Sequence, residues 1–378
     1  MAEADLSKGF GPDTRTRFSR RRVLQLAGAS AAAAGLGSLL AACGGNGPGS
    51  GSGPKAPGAL PEMTPFHVQS AKIDSYFIDA VNLTENHYAD YNLEVSDFIY
   101  PTSGLQGMQL MAAGQVDGGM TDTLVTLATF ANSAPGTRPV VVGMRLNTSP
   151  YALVVNKEGS WPDANAGFEE RMKSLKGKTV GLTAIGAGAD QVLRLALARA
   201  GMQYSDVTPL AVGQTTPGIA QMQAGKLDAY VAQAWTMGRF VAQRTGGKVL
   251  IDFGANDVPD VLSKQQVGSI VVREDHAEQH QDAVKAWLAC QSAALQWITK
   301  NKDEAAGLLN TQMLGGQSPD IAKDYVDHFT NTLVPQFQPD FKVTKDGVER
   351  MIGIAVQNGT VKEGQIKYED LVPDFARA

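Results

Sequence analysis

The chain has 378 residues, of which 33 are Lys or Arg and 38 Asp or Glu, for a formal net charge of −5 at pH 7. Six of those basic and three of those acidic residues lie in positions 1–42, so the remaining 336 residues carry 27 against 35, a charge of −8. So acidic a surface argues against nucleic acid as a partner, because affinity there rests on neutralising phosphates with Lys and Arg. A body of this length also exceeds what one hydrophobic core usually organises, so two lobes are expected.

Ser19-Arg20-Arg21-Arg22-Val23-Leu24-Gln25 has the form of a twin-arginine export signal, with Arg20 and Arg21 as its paired cations. The Ala, Gly and Leu run from Leu26 to Leu40 is an apolar core too short to span a bilayer comfortably. It ends in Leu40-Ala41-Ala42-Cys43, which resembles a lipobox: small residues admit a peptidase and the Cys43 thiol becomes the lipid attachment point. A buried N-terminal helix with an incidental cysteine is the competing reading, but it gives no reason for arginine pair, apolar run and small-residue site to follow in that order. Residues 1–42 are therefore read as a signal peptide, and 43–62 as a lipidated Cys43 and a flexible linker. Rich in Gly, Ser and Pro, this tether reaches roughly 25 Å from a membrane. No second apolar segment of 18 residues follows, so the expected membrane contact is the lipid and the expected location the extracytoplasmic face of the cell membrane.

Beyond the linker, strand and helix patterns alternate, as in a mostly parallel sheet with helices on its faces. Phe66 to Ile73 reads as a strand, Phe77 to Tyr88 as a helix, Leu93 to Ile99 as a strand and Gly104 to Ala113 as a helix. Gly118 to Thr121 is a strand, Leu124 to Asn132 a helix and Val140 to Leu146 a strand. The chain then crosses through Asn147-Thr148-Ser149-Pro150 into a second lobe that begins with Tyr151 to Asn156. There a strand near Thr179 to Thr183 leads to a helix from Gly188 to Ala200 closed by Gly201, and Val207 to Val212 and Lys248 to Ile251 are further strands. After Val258-Pro259 a return strand, Ser269 to Val272, rejoins the first lobe, and the rest is mostly helical. The expected division is 63–148 plus 267–378 for lobe 1 and 149–266 for lobe 2.

One phrase of eleven residues occurs twice, Gly107 to Asp117 and, 111 positions later, Gly218 to Asp228. In each copy a helical run of Met, Ala and Gln stops at a glycine, Gly114 or Gly225, suited to the left-handed position that ends a helix. A short strand follows, with Thr121-Asp122-Thr123 at the end of one copy and Gln233-Ala234-Trp235 at the end of the other. Such carboxyl ends are where open α/β sheets hold ligands. Chance similarity of two alanine-rich helix ends is the alternative, and the shared register of Gly, Met, Ala, Gly and Asp weighs against it.

The order of elements and several motifs resemble the extracytoplasmic substrate-binding proteins of ABC importers, in the branch of nitrate, sulfonate and taurine binders and of binders of the thiamine pyrimidine precursor. The motifs are Leu175 to Gly181 opening the second lobe, the Gly-rich turn into a helix ending Ala200-Gly201, Asp206-Val207, and Gly225 to Asp228 leading to Trp235. Tyr368 to Asp374 is similar to the family's tail. Covering about residues 64 to 376, the resemblance implies an α/β, two-lobed periplasmic-binding-protein fold of type II with two hinge crossings and a ligand cleft between the lobes. It also implies a monomer that takes up a small-molecule ligand and hands it to an ABC permease with its ATPase, without a cofactor.

The cleft is expected among residues that follow strand ends: Asp74, Ser75 and Tyr76; Ser103 and Gly104; Thr121, Asp122 and Thr123; Thr183 with Gly186, Ala187 and Gly188; Gln214 and Thr215; Gln233 and Trp235. Helix starts at Ser103-Gly104 and at Gly186 to Gly188 suit an oxyanion, yet Asp122 and Asp190 lie on the same edges and would repel one. Asp190 equally suits the first turn of its own helix. Arg145 and Arg194 are the candidate neutralising cations. Tyr76, Phe77 and Trp235 offer flat faces for a heteroaromatic body or else belong to the core. The ligand class therefore stays open between sulfonate, taurine or nitrate and a pyrimidine-like solute.

Enzyme readings fare worse. Thr179 to Gly188 has the start of a dinucleotide turn, but Gln191 stands at the third glycine position and no acidic residue ends the next strand. His276 and His280 are spaced for one helix face, but the intervening glutamate is misplaced for a zinc protease and the segment reads as an exposed helix start capped by Asp275, so no metal is expected. Cys290 is read as a small core residue. A ligand-binding lobe of a sensory system is the other alternative.

The address is testable. Cys43→Ser should release the exported protein from membranes or leave its signal uncleaved, and Arg20→Lys with Arg21→Lys should hold it in the cytoplasm, both read by fractionation. Membrane attachment that survives the loss of Cys43 refutes lipidation there.

Overall fold

A computed structural model describes residues 56–378. Arg20, Arg21 and Cys43, with the signal peptide and most of the linker, lie outside the described residues. Eleven strands occur in the described chain: β1 Thr64–Pro65, β2 Val68–Gln69, β3 Leu93–Glu94, β4 Gly118–Asp122, β5 Pro139–Met144, β6 Ala152–Val155, β7 Thr179–Leu182, β8 Thr208–Ala211, β9 Ala229–Ala232, β10 Lys248–Asp252 and β11 Gly268–Arg273. They form a four-stranded sheet in the order β2-β4-β11-β5, a five-stranded sheet in the order β10-β6-β9-β7-β8, and a parallel β1-β3 pair.

The sheets are less parallel than the alternation suggests. β2 runs parallel to β4, and β7 parallel to both β8 and β9. In contrast β11 is antiparallel to β4 and β5, and β6 is antiparallel to β9 and β10. β6 and β11 are the strands through which the chain enters each sheet from the other one. Neither is preceded by a crossover helix within its own sheet, the connection a parallel neighbour needs, so each arrives reversed. Every residue of β5, β6 and β9 is buried, as expected of short strands covered by helices on both faces.

Local departures have local causes. The helix predicted from Phe77 to Tyr88 ends at Thr84 and a short one restarts at His87, because Asn86 between them adopts the left-handed conformation at φ 61°. The first strand shrinks to Val68–Gln69 and the second to Leu93–Glu94; a single bridge between Gln69 and Ile99 is all that pairs their far ends. Asp275 lies inside the helix Glu274–Gln279 rather than capping it, and it pairs with Arg273 at 2.5 Å.

Two segments, 145–151 and 253–267, join the sheets, and their backbones bond to each other. Arg145 N–H donates to Gly268 O, Val267 N–H to Leu146 O, Ser149 N–H to Ser263 O and Phe253 N–H to Tyr151 O, at 2.8 to 3.1 Å. At the start of the first crossing Arg145, 1% exposed, donates to both carboxylate oxygens of Asp79, at 3.1 and 2.5 Å, and also to Gln291 Oε1. This buried fork ties the crossing to the helix Phe77–Thr84 and to the long helix Gln281–Lys300.

Breaking a buried pair by removing one partner leaves an uncompensated charge and typically costs about 3–5 kcal/mol. Arg145→Met should therefore lower unfolding free energy by about that much in urea titrations, and adding Asp79→Asn should recover part of the loss. A loss below about 1 kcal/mol contradicts the structural role given to the pair.

Candidate functional site

The duplicated phrase builds both sides of the site in the same way. Its helices are Gly104–Ala112 and Thr215–Gln223, each followed by a left-handed glycine, Gly114 at φ 72° and Gly225 at φ 68°. Each then leads into a sheet strand, β4 or β9. The final Asp of each copy does the same work: Asp117 accepts from His67 N–H at 2.7 Å and Asp228 from Thr179 N–H at 2.9 Å. Each carboxylate thereby satisfies a backbone donor of a neighbouring segment. The ends of β4 and β9 are then brought towards each other by the crossings.

Between them lies a cavity of about 50 Å³ whose wall includes Ser75, Tyr76, Gly104, Thr121, Asp122, Tyr151, Ala187, Gly188 and Gln233, with Ile73, Met120, Val125, Leu146 and Val267 as apolar surface. The structure thus gathers Ser75, Tyr76, Gly104, Thr121, Asp122, Ala187, Gly188 and Gln233 from the sequence-predicted set. Tyr151, Leu146 and Val267 are additions. They belong to or border the crossings, and the proline-containing segment before Tyr151 signals a connection rather than a wall.

The other predicted residues take different places. Ser103 caps the helix Gly104–Ala112 by accepting from Gln106 N–H at 3.2 Å. Thr123 bonds Ser269 at 2.7 Å, joining the helix Thr123–Asn132 to β11. Thr183 is buried and its carbonyl accepts from Gly213 N–H at 3.2 Å. Thr215 is buried at the start of its helix. Gln214 reaches across to Thr102 O at 3.2 Å and receives Gln233 Nε2 at 3.3 Å. Gly186, at φ 83°, lies where a Cβ would stand 3.6 Å from Leu105 on the opposite side.

Trp235 is the largest displacement from expectation. Its ring stacks on His328, with centroids 5.1 Å apart and 12° between planes, and the Arg239 guanidinium lies 3.3 Å from its centroid. It borders a second cavity beside Asn147, Thr148 and Ser149 of the first crossing, not the interlobe cavity. A helix-starting Trp after a strand end can turn either way, and the aromatic and cationic partners further along the chain decide it.

Two carboxylates of the first side meet the second. Asp74 accepts from Thr236 N–H in the first turn of the helix Trp235–Thr245, whose own N-cap residue, Ala234, has no side chain for the purpose. Burial pushes the Asp74 carboxyl up to about 6, against the opposing pull of its bonds to Thr236 and Ser75 and the charge of Arg239. Asp122 caps its own helix through Leu124 N–H at 2.8 Å and accepts from Tyr151 Oη at 2.7 Å. Burial raises its pKa as well, with the Tyr151 and Leu124 bonds working the other way. Its carboxylate lies against Gly188, where a Cβ would come within 2.7 Å of Oδ2.

Neither candidate cation is at the cavity. Arg145 is held by Asp79, while Arg194 pairs with Asp190 at 3.0 Å and covers the Tyr204 ring at 3.5 Å. Asp190, fully buried, also takes Gly186 N–H at 2.8 Å and the Tyr204 hydroxyl. It therefore fixes its own helix start rather than facing a ligand. No Lys, Arg or His is among the described residues that line the cavity. An anion about 4 Å from ionised Asp122 would meet roughly 4 kcal/mol of repulsion at an effective dielectric of about 20.

Cys290 is buried in the long helix, with its thiol pushed up by burial. No cluster of three or more His, Cys, Asp or Glu suited to a metal occurs among the described residues. His276 and His280 pack their rings 4.8 Å apart, and His276 is held against Phe66.

The raised Asp74 pKa has a definite sign. Between about pH 4 and 6 the folded chain keeps a proton that the unfolded chain has lost, so this contribution to stability is full below 3.8 and disappears as pH rises through 6. Asp122 acts in the same direction, while His276 and His328, with lowered pKa values, act in the opposite one. The effect is therefore read as a difference. Relative to Asp74→Asn, wild type should lose on the order of 3 kcal/mol between pH 4 and 7 in urea titrations, and a pH-independent difference refutes it.

Comparison with known proteins fits this architecture. Among curated proteins no sequence relative is found. Solved structures share the fold. The alkanesulfonate-binding protein SsuA from Xanthomonas axonopodis pv. citri bound to MOPS aligns at 16% identity over 71% of this chain and 85% of its own, with a TM-score of 0.56. The periplasmic nitrate-binding protein NrtA from Synechocystis PCC 6803 aligns at 16% identity over 81% and 84%, with a TM-score of 0.61. A mutant of DszB in complex with biphenyl-2-sulfinic acid aligns at 14% identity over 82% and 97%, with a TM-score of 0.54. These likenesses establish a two-lobed, periplasmic-binding-protein fold. The family described as NMT1/THI5 like matches residues 80–305, more than half of the chain, and the chain belongs to that family.

Proposed function

We propose that this protein is an extracytoplasmic solute-binding protein, anchored through a lipid on Cys43, that captures a small organic solute between its lobes and delivers it to an ABC permease and its ATPase. The observation that carries the reading is the cavity where the ends of β4 and β9 meet, beside two crossings that form a hinge. Family membership and the sulfonate- and nitrate-binding neighbours support it. Among the described residues no helix is long and apolar enough to cross a membrane. The candidate solutes are those of the sulfonate, taurine and nitrate class or a pyrimidine-like heteroaromatic.

The protein works by binding rather than by catalysis. The cavity wall holds hydroxyls and one carboxylate but neither cysteine nor histidine, and its Tyr151–Asp122 pair sits at a helix start that Asp122 also caps. Ser75, Tyr76, Thr121, Asp122 and Gln233 are the residues assigned to the solute, with Asp74, Gln214 and Gly186 shaping the meeting of the lobes. Closure follows from contacts that exist only when both lobes touch the solute. A sensory system that reads the closed lobes is the alternative, distinguished by which membrane partner the closed form engages.

A thermal-shift screen of small solutes should yield a ligand whose addition shrinks the radius of gyration seen by X-ray scattering. Gln233→Ala should weaken that ligand about fivefold, as expected for one buried hydrogen bond of about 1 kcal/mol. Failure of every tight ligand to compact the chain contradicts the hinge, and unchanged affinity in Gln233→Ala removes that residue from the site.

A further inference from the structure

We propose that the cleft selects a solute bearing an N–H cation, such as an ammonium, an amidinium or a protonated ring nitrogen, with Asp122 and Thr121 as its acceptors. This rests on the solute-binding reading above and narrows it to one charge class. Four features of the wall lead to it.

The first is unused acceptor capacity. A carboxylate offers about four lone-pair positions, and Asp122 engages one donor on each oxygen, Leu124 N–H on Oδ1 and the Tyr151 hydroxyl on Oδ2. The second is an orphan. Thr121, 2% exposed, lies on the cavity wall, and its Oγ1 has no hydrogen-bond partner. Buried polar atoms are ordinarily paired, and this one lies beside Gly104, itself a lining residue, close enough for a small shift to turn it to a ligand.

The third feature is that, beside Asp122, the two candidate cations and the N–H groups of Gly186 and Ala187 are engaged elsewhere. Arg145 and Arg194 hold Asp79 and Asp190. Gly186 N–H donates to Asp190 and Ala187 N–H to Ala184 O. The helix starting at Gly188 does present its positive end towards the cleft, but the Asp122 carboxylate already lies against it. In effect the protein's own anion occupies the place an oxyanion would take. A cation then completes an alternating stack of helix end, carboxylate and ligand.

The fourth feature is aromatic. Tyr76 and Tyr151 both line the cavity, and their hydroxyls donate to Met120 O at 2.8 Å and to Asp122 at 2.7 Å. These two residues bring aromatic rings to the site, and aromatic rings attract ammonium and guanidinium-like cations.

The test uses the full chain and matched probes: ethyl-, propyl- and benzylammonium against the sulfonates of the same three skeletons, with benzyl alcohol as the neutral reference, followed by calorimetry. At least one ammonium should bind ten or more times tighter than its sulfonate. Asp122→Asn, which keeps a side chain able to cap the helix, should weaken the ammonium tenfold or more while changing benzyl alcohol by less than threefold. Should Asp122→Asn fail to fold, Thr121→Val replaces it, with an expected loss of threefold or more for the ammonium only. A sulfonate preferred by wild type and sensitive to Gln233→Ala overturns the charge assignment and leaves solute binding intact. Ammonium binding that ignores both substitutions also overturns the assignment. Binding of none of the seven probes overturns the charge assignment, and the broad solute screen then decides solute binding separately.

Discussion

The pairing of Arg145 with Asp79 shapes both the frame and the cleft. A guanidinium and a carboxylate removed together from water are tolerable only in a forked, hydrogen-bonded geometry, and that geometry fixes where the first crossing leaves its sheet. The same pairing engages Arg145, which directly precedes the lining residue Leu146, away from the interlobe cavity. Asp122 therefore stands on the wall without a positive neighbour, held by a phenol and a backbone N–H. One buried ion pair thus ties the first crossing to two helices and leaves the cavity wall with a carboxylate and no lining cation among the described residues.

Asp74 and Asp122 give the lobes a specific way to meet. Each belongs to the first side and approaches a helix start of the second, Asp74 at Thr236 and Asp122 beside Gly188. A helix start carries unsatisfied N–H groups and partial positive charge, so Asp74 supplies from the opposite lobe the acceptor that Ala234 cannot. The cavity between them is small, and the two sides touch directly through Asp74 and Thr236.

Much of this was readable before any coordinates. The duplicated phrase located two equivalent helix–glycine–strand units, and the glycines do take the left-handed conformation their position calls for. The cleft edges followed from strand ends. What local pattern does not carry is direction of facing. Trp235 turned to His328 and Thr123 to Ser269, each because a partner distant in the chain made that orientation favourable, whereas Asp190 took the helix-start role that its position had left open. Arg145 and Asp79 are 66 residues apart, a pairing no local pattern reveals. The antiparallel course of β6 and β11 was missed for a related reason: alternation of strand and helix specifies elements, while strand direction depends on which sheet the chain has just left.

That reversal also bears on how the protein comes to be folded. The five-stranded sheet is drawn from one continuous stretch, β6 to β10, and can assemble as soon as that stretch has emerged during synthesis. The four-stranded sheet cannot. β11 is the strand that joins β4 to β5, and it lies more than 120 residues after β5 ends. The portion synthesised first is therefore completed last, with strand edges and apolar helices awaiting a distant segment. Pairing at such separation is slow because loop closure precedes its reward, and the waiting chain is open to association in the meantime. The order of assembly thus runs against the order of translation.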